Sequence, residues 1–253
     1  MEKKYGFTEE TITTEKGVLL HRIKALRDFG DVKEGDLGGF IECENNLSHD
    51  GDCWVYDNAC VFDDASVNDN AHIYHNAKVY GRAKVYHYAE IRDEALVVGD
   101  AEVFDFAQVS GNSFIFGHAK IYDEAHVYVK ADIGGCAEVY GLSRVYDYAS
   151  IRDYAVVNGN AAILGVAKIF GNVVISEAVI CGDAEVKSLK DYIVFKNWWS
   201  SGRFFTWTRS NNMWKVGCFY GTGDELIKKA YKDSEESGRH YKEIVEYVEK
   251  CAI

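Results

Sequence analysis

Residues 77–103 read AKVYGRAKVYHYAEIRDEALVVGDAEV, and the same phrase returns every six residues: alanine, one variable residue, valine or isoleucine, then three more. From Ala59 to Val173 every sixth position is small, alanine everywhere except Ser113, Ser143 and Val173. Two residues after each stands Val or Ile, from Val61 to Ile175, without an insertion. An α-helix would scatter residues six apart over different sides, and an ordinary strand alternates with period two, so neither fits. A short strand that turns a corner every six residues does fit. The Val/Ile then points inward, the alanine occupies the tight interior beside the corner, and pairs such as Asp57-Asn58, Gly111-Asn112 and Gly159-Asn160 take the turn. Three such units close an eighteen-residue coil.

That period makes a prediction inside the sequence, because residues eighteen apart should stack about 4.8 Å from each other on neighbouring rungs. Lys84, Glu102, Lys120 and Glu138 then form a column of alternating sign, and Tyr86, Phe104, Tyr122 and Tyr140 an aromatic column. Both are pairings that neighbouring strands favour. The expected fold is therefore mainly β: a three-sided left-handed parallel β-helix of about seven coils over residues 53–186, roughly 34 Å long at that spacing.

The flanks are different in kind. Residues 1–46 read as an N-terminal cap, with a hairpin of Thr11–Thr14 and Val18–Ile23 and a glycine-rich stretch ending at Gly38-Gly39-Phe40-Ile41. A solenoid needs such a cap, since its open end exposes backbone and core. The β-helix is assigned 47–186, the register slipping where Ile175 is followed by Ile180. Residues 187–253 read as a small α+β unit. It has strand-like runs at 192–195, 203–208 and 213–218, a capping box at Thr222 and Glu225, and a second helix carrying Ile244, Val245 and Val248.

Composition narrows the function. The chain has no apolar run of membrane-spanning length and no signal-like start, so a cytoplasmic protein without a membrane partner is expected. Seven scattered cysteines without a CxxC pair suggest reduced thiols rather than a disulfide framework, and no metal site is expected. The formal charge of −12 argues against nucleic acid as a partner.

The unit Val85-Tyr86-His87-Tyr88-Ala89-Glu90 resembles the hexapeptide repeat of left-handed β-helix proteins, many of them trimeric acyltransferases. The repeats, preceded by LRDFGDVKEGDLGGFIE and NLSHDGDCWVYDNA, are most similar to bacterial and prophage-type proteins labelled as transferases without a defined reaction. The resemblance covers roughly residues 17–186. Two features differ from the acyltransferases: the position after the Val/Ile mostly holds Tyr, Phe, Arg or Ser rather than Gly or an acid, and no long loop interrupts the coils.

Three functional readings follow. The first is a non-enzymatic scaffold of prophage origin, with no cofactor, whose C-terminal unit contacts a protein partner or a small anionic ligand. Trp198, Trp199, Ser200, Ser201, Arg203 and Thr206 would supply aromatic area, hydroxyls and a directional charge. The second, implied by the resemblance, is an acyltransferase using acetyl-coenzyme A. Its general base would be His72 or His126, which share one outer column with Glu90, Gln108 and Arg144. The third is an acidic DNA mimic or host-defence inhibitor, based on aspartates recurring at Asp57, Asp63, Asp69, Asp93, Asp105, Asp123, Asp147 and Asp153, although aspartates that cap corners explain the same spacing. A strip of Leu96, Val98, Phe114 and Phe116 on one wall is the expected oligomer interface, with a homotrimer implied by the resemblance.

Overall fold

In the computed structural model, which describes residues 3–251, the hexads form a three-sided parallel β-solenoid of about eight turns. The first wall runs from Phe40–Ile41 through Cys60–Val61, Lys78–Gly81, Leu96–Gly99 and Phe114–Ile115 to Glu185–Val186. The second runs from Trp54–Val55 to Val179–Ile180, and the third from Ser66–Val67 to Val174–Ser176. Pairing is eighteen residues apart through the regular coils, as in His72↔Glu90 and Glu102↔Lys120. It shortens to seventeen at Ile163↔Ile180, where the sequence drops a residue.

Every inward Val or Ile from Val61 to Ile175 is fully buried, as is every alanine beside it from Ala71 to Ala125. Each such branched side chain contributes about 1.5–3 kcal/mol of burial. The two serines in alanine positions stay satisfied: the Ser113 hydroxyl donates to the Ser110 carbonyl at 2.8 Å, and that of Ser143 to the Val157 carbonyl at 3.5 Å.

The corners explain the rest of the repeat. Every sixth residue from Gly51 to Glu177 has positive φ, and aspartate, histidine and glycine hold nearly all of these places. Glycine adopts that region freely, while a short polar side chain can bond locally to offset its cost. The aspartates do so: the Asp57, Asp63, Asp69, Asp93, Asp123, Asp147 and Asp153 carboxylates each accept the corner N–H one rung on, at 2.9–3.2 Å. Val129, with φ 68° and no such bond, is the exception that chemistry does not favour.

At the N-terminal end, β1 (Tyr5–Thr13) and β2 (Leu19–Ala25) form an antiparallel hairpin, and β3 (Leu37–Ile41) pairs antiparallel with β2 and parallel with Cys60–Val61. The cap thus continues the first wall rather than plugging it, and its last strand is itself a rung, which adds the turn beyond the seven expected. A Cβ on Gly39 would lie 2.5 Å from the Ala59 carbonyl oxygen, so the paired glycines let β3 approach the first coil. Trp54, which stands at an outward position of the repeat, is buried under Tyr5 and Phe29.

At the other end, Tyr192–Lys196, Phe204–Thr208, Met213–Val216 and Phe219–Gly221 form a four-stranded antiparallel sheet. The helices α1 (Gly223–Asp233) and α2 (Glu235–Cys251) pack on it around Phe205, Trp214, Leu226, Tyr241 and Val245. The Thr222–Glu225 capping box is formed. The sheet is seated on the last coils by backbone donors: Val179 N–H to the Thr206 hydroxyl at 3.1 Å and Glu185 N–H to the Ser210 hydroxyl at 2.7 Å. At the junction the Asp191 carboxylate accepts from the Lys187 and Ser188 N–H groups and the Ser188 hydroxyl. Burial pushes the Asp191 pKa up, but those hydrogen bonds and the Lys187 charge outweigh it and hold the group below its ordinary value.

Two outcomes are expected. Val129→Asn relieves the corner and raises stability by about 1 kcal/mol, read as a higher midpoint in thermal unfolding. Asp191 contributes stability that is fully present above its unfolded pKa of about 3.9 and is lost as pH falls through the lower folded value. Asp191→Asn should therefore lower the denaturation midpoint near neutral pH, with the gap to wild type closing in acid.

Candidate functional site

The second wall carries the candidate catalytic column in register: Trp54, His72, Glu90, Gln108, His126 and Arg144 lie on successive rungs. Their surroundings differ along the wall. His72 uses both ring nitrogens, Nε2 at 3.2 Å from the Asp52 carbonyl and Nδ1 at 3.0 Å from the Tyr74 hydroxyl. Glu90 is paired with Arg92, whose guanidinium also lies over the Tyr74 ring. His72 and Glu90 are therefore adjacent but engaged with other partners. A groove of about 500 Å³ beside them is bordered by Asp31, Asp52, Tyr88 and Phe106.

Two rungs further on, His126 is half-buried, and among the described residues its ring makes no hydrogen bond or ion pair. It is flanked by Tyr128, stacked on Tyr146 at 4.8 Å, and by Arg144 on the next rung. Arg144 and Tyr146 open onto a groove of about 630 Å³ between the last coils and the C-terminal sheet. Arg203 and Lys215 line it from the sheet, with Phe204 and Leu164 supplying apolar surface and Glu177 the one carboxylate. Among the described residues none of the three cations, Arg144, Arg203 and Lys215, has an ion-pair partner. A chain of net charge −12 thus gathers three unpaired positive groups around one cavity. Such a place attracts and holds an anion.

The residues expected in the C-terminal unit divide between three locations. Arg203 faces the basic groove, and with Ser200 and Ser201 it also borders a second cavity of about 350 Å³ against α1 and α2. Trp198 is exposed, and Trp199 stacks on His240 at 4.6 Å and meets Tyr241 edge-on, so the pair forms an aromatic shelf on α2. Thr206 is buried, its hydroxyl holding Val179 as described. Lys215 and Arg144, which complete the groove, lie far apart in the sequence in unremarkable strands, and only the docking of the sheet brings them together.

On the first wall, Leu96, Val98, Phe114 and Phe116 lie in one half-buried strip. Phe114 stacks on Phe116 at 4.7 Å, Phe116 lies flat over Gly134, and the Arg152 guanidinium sits 4.5 Å from the Phe116 ring centre. The continuation of the strip, Phe62 and Tyr80, is packed against the N-terminal cap through Val18, Leu20 and Phe40.

The expected columns on the third wall are present. Tyr86, Phe104, Tyr122 and Tyr140 stack at 4.7–4.9 Å with planes within 9°. The glutamates of the charged column are held as much by this stack as by lysine: the Tyr86 hydroxyl donates to Glu102 at 3.2 Å and that of Tyr122 to Glu138 at 3.0 Å, while the Lys84–Glu102 pair spans 4.0 Å. Burial, with Glu102 beside it, pushes the Tyr86 pKa up to about 12. The recurring corner aspartates, except Asp105, which meets the His87 ring at 2.7 Å, are occupied by N–H groups of the following rungs, which accounts for their spacing by architecture.

Among the described residues no helix is long and apolar enough to cross a membrane, and no three His, Cys, Asp or Glu side chains form a metal-ligand group. The chain matches no protein-family model. It is 40% identical over 60 residues to a protein of Escherichia coli (strain K12) named uncharacterized acetyltransferase YdcK. The match spans 24% of this chain and 18% of that relative, well under two thirds of the relative's length.

Proposed function

We propose that the protein is an acyltransferase of the hexapeptide-repeat type that takes its acyl group from a coenzyme A thioester bound in the groove of Arg144, Arg203 and Lys215. The observation that carries this reading is the set of three cations, none with an ion-pair partner among the described residues, with Phe204 and Tyr146 beside them where the C-terminal sheet meets the second wall, one rung from a histidine whose ring makes no hydrogen bond among the described residues. The fold and the partial likeness to an acetyltransferase support the same reading. The donor's phosphates pair with the cations and its apolar portions lie against Phe204 and Leu164. His126 accepts the proton of an acceptor hydroxyl or amine as that group attacks the thioester carbonyl, and returns it to the coenzyme A thiolate that leaves when the C–S bond breaks, a role typically worth a factor of 10²–10⁴ in rate. His72, with both nitrogens engaged, is the weaker candidate for that proton.

Titration of acetyl-coenzyme A by calorimetry is expected to give binding that Arg203→Ala and Lys215→Ala each weaken by about tenfold, the size of one charge-assisted hydrogen bond. His126→Ala should leave that affinity intact and lower kcat by at least a hundredfold against any acceptor found in a panel of amines and sugars. Donor binding with no transfer to any acceptor would support a ligand-binding scaffold instead. No binding at all would remove the donor from the reading.

The apolar strip of the first wall belongs to the same proposal as the contact between three copies. Sedimentation at tens of micromolar is expected to show a trimer, and Phe116→Lys to dissociate it. A monomeric wild type would end that part.

A further inference from the structure

The Lys4 side chain is fully buried, an unusual place for an ammonium. Its Nζ reaches the Cys53 carbonyl at 2.8 Å, the Gly51 carbonyl at 3.2 Å and the Cys53 Sγ at 3.3 Å, with the Phe29 ring 5.0 Å away. Cys53 is likewise fully buried, on the first coil, 49 residues along the chain. Its Sγ has only long contacts otherwise, to the carbonyls of Ser48, Asp50 and Val67 at 3.5–3.7 Å. The amine thus meets the thiol within the range of a near-attack contact, in a site closed to bulk solvent. Burial moves both groups toward their neutral forms, lowering the Lys4 pKa and raising that of Cys53.

We propose that Lys4 and Cys53 form an oxidative covalent cross-link, an N–O–S bridge between Nζ and Sγ made with dioxygen as oxidant. In the step the O–O bond breaks and N–O and O–S bonds form. One oxygen atom stays in the bridge, and the other leaves as water with one amine hydrogen and the thiol hydrogen. Nitrogen and sulfur each give up two electrons, and dioxygen takes all four. A bridging oxygen lets the two atoms remain nearer their present separation than a direct S–N bond would. Dioxygen is small and apolar enough to enter a packed interior that excludes larger oxidants. The bridge joins the start of β1 to the first coil, so it fastens the N-terminal cap at the solenoid's open end. Thiol reductants release it.

The test is peptide mapping by mass spectrometry of the full chain, kept in air or kept anaerobic with a thiol reductant. In air a linked pair of peptides containing Lys4 and Cys53 is expected, one oxygen heavier and two hydrogens lighter than their sum. It should vanish on reduction and in Lys4→Met and Cys53→Ala, and persist in Cys60→Ala, whose thiol is also buried. The oxidised wild type should unfold about 5 °C higher than the reduced one, as expected for closing a long loop. If the variants fail to fold, the comparison of wild type in air and under reductant still decides. A Cys53 peptide that stays unlinked in air, whether unmodified or oxidised alone, would overturn the proposal, as would a pair linked without the oxygen.

Discussion

The interior of each coil has room for one small residue and one branched residue per side, and the whole molecule follows from that narrowness. A chain confined to so small a cross-section must turn sharply every six residues, and each turn needs a backbone conformation that most L-residues avoid. Aspartate, histidine and glycine therefore recur at the corners, and the aspartate carboxylates return part of the cost by bonding the next rung. What looks in the sequence like an acidic surface is to a large extent the joinery of the corners. Stability is then local and additive in character, since each rung touches only its two neighbours.

The same regularity leaves little room for a deep pocket within the coils; one groove of about 540 Å³, between Asp105 and Leu142, is lined by coil residues alone. The two grooves along the second wall arise where something else is laid against it: the loop before β3 at one end, the C-terminal sheet at the other. The second wall passes both. It begins under Asp31 and Asp52, runs through Gln108 and His126, and reaches Arg144, which faces Arg203 and Lys215, two rungs before its last strand. The polarity of that wall, acidic at its start and basic at its end, comes from the flanking units more than from the repeats.

The solenoid was legible because its rule is strictly periodic. Alanine and Val/Ile at fixed offsets determine which side faces inward, and the Tyr86 to Tyr140 column can be written down from spacing alone. The caps were less so. Trp54 sits at an outward position of the repeat and is buried only because Tyr5 and Phe29 cover it, a contact between segments that no local pattern encodes. Phe219–Gly221 is too short to announce itself as a strand, and its pairing with Met213–Val216 makes it one. The site shows the same division. Arg203 stood out through its aromatic and hydroxyl neighbours, whereas Lys215 occupies an ordinary strand and Arg144 an ordinary corner-to-corner step. Their joint meaning depends on the way Thr206 and Ser210 seat the sheet on the coils.

The eighteen-residue repeat also makes the second wall a ruler. The acidic groove and the basic groove lie at opposite ends of one rigid face, and their separation can change only in whole rungs of about 4.8 Å. Duplication or loss of one coil in the gene would shift the two grooves by one such step without disturbing the chemistry of either. Length along this wall is thus a discrete, heritable variable, and a ligand or partner that touches both ends would be selected by its span as well as by its charge.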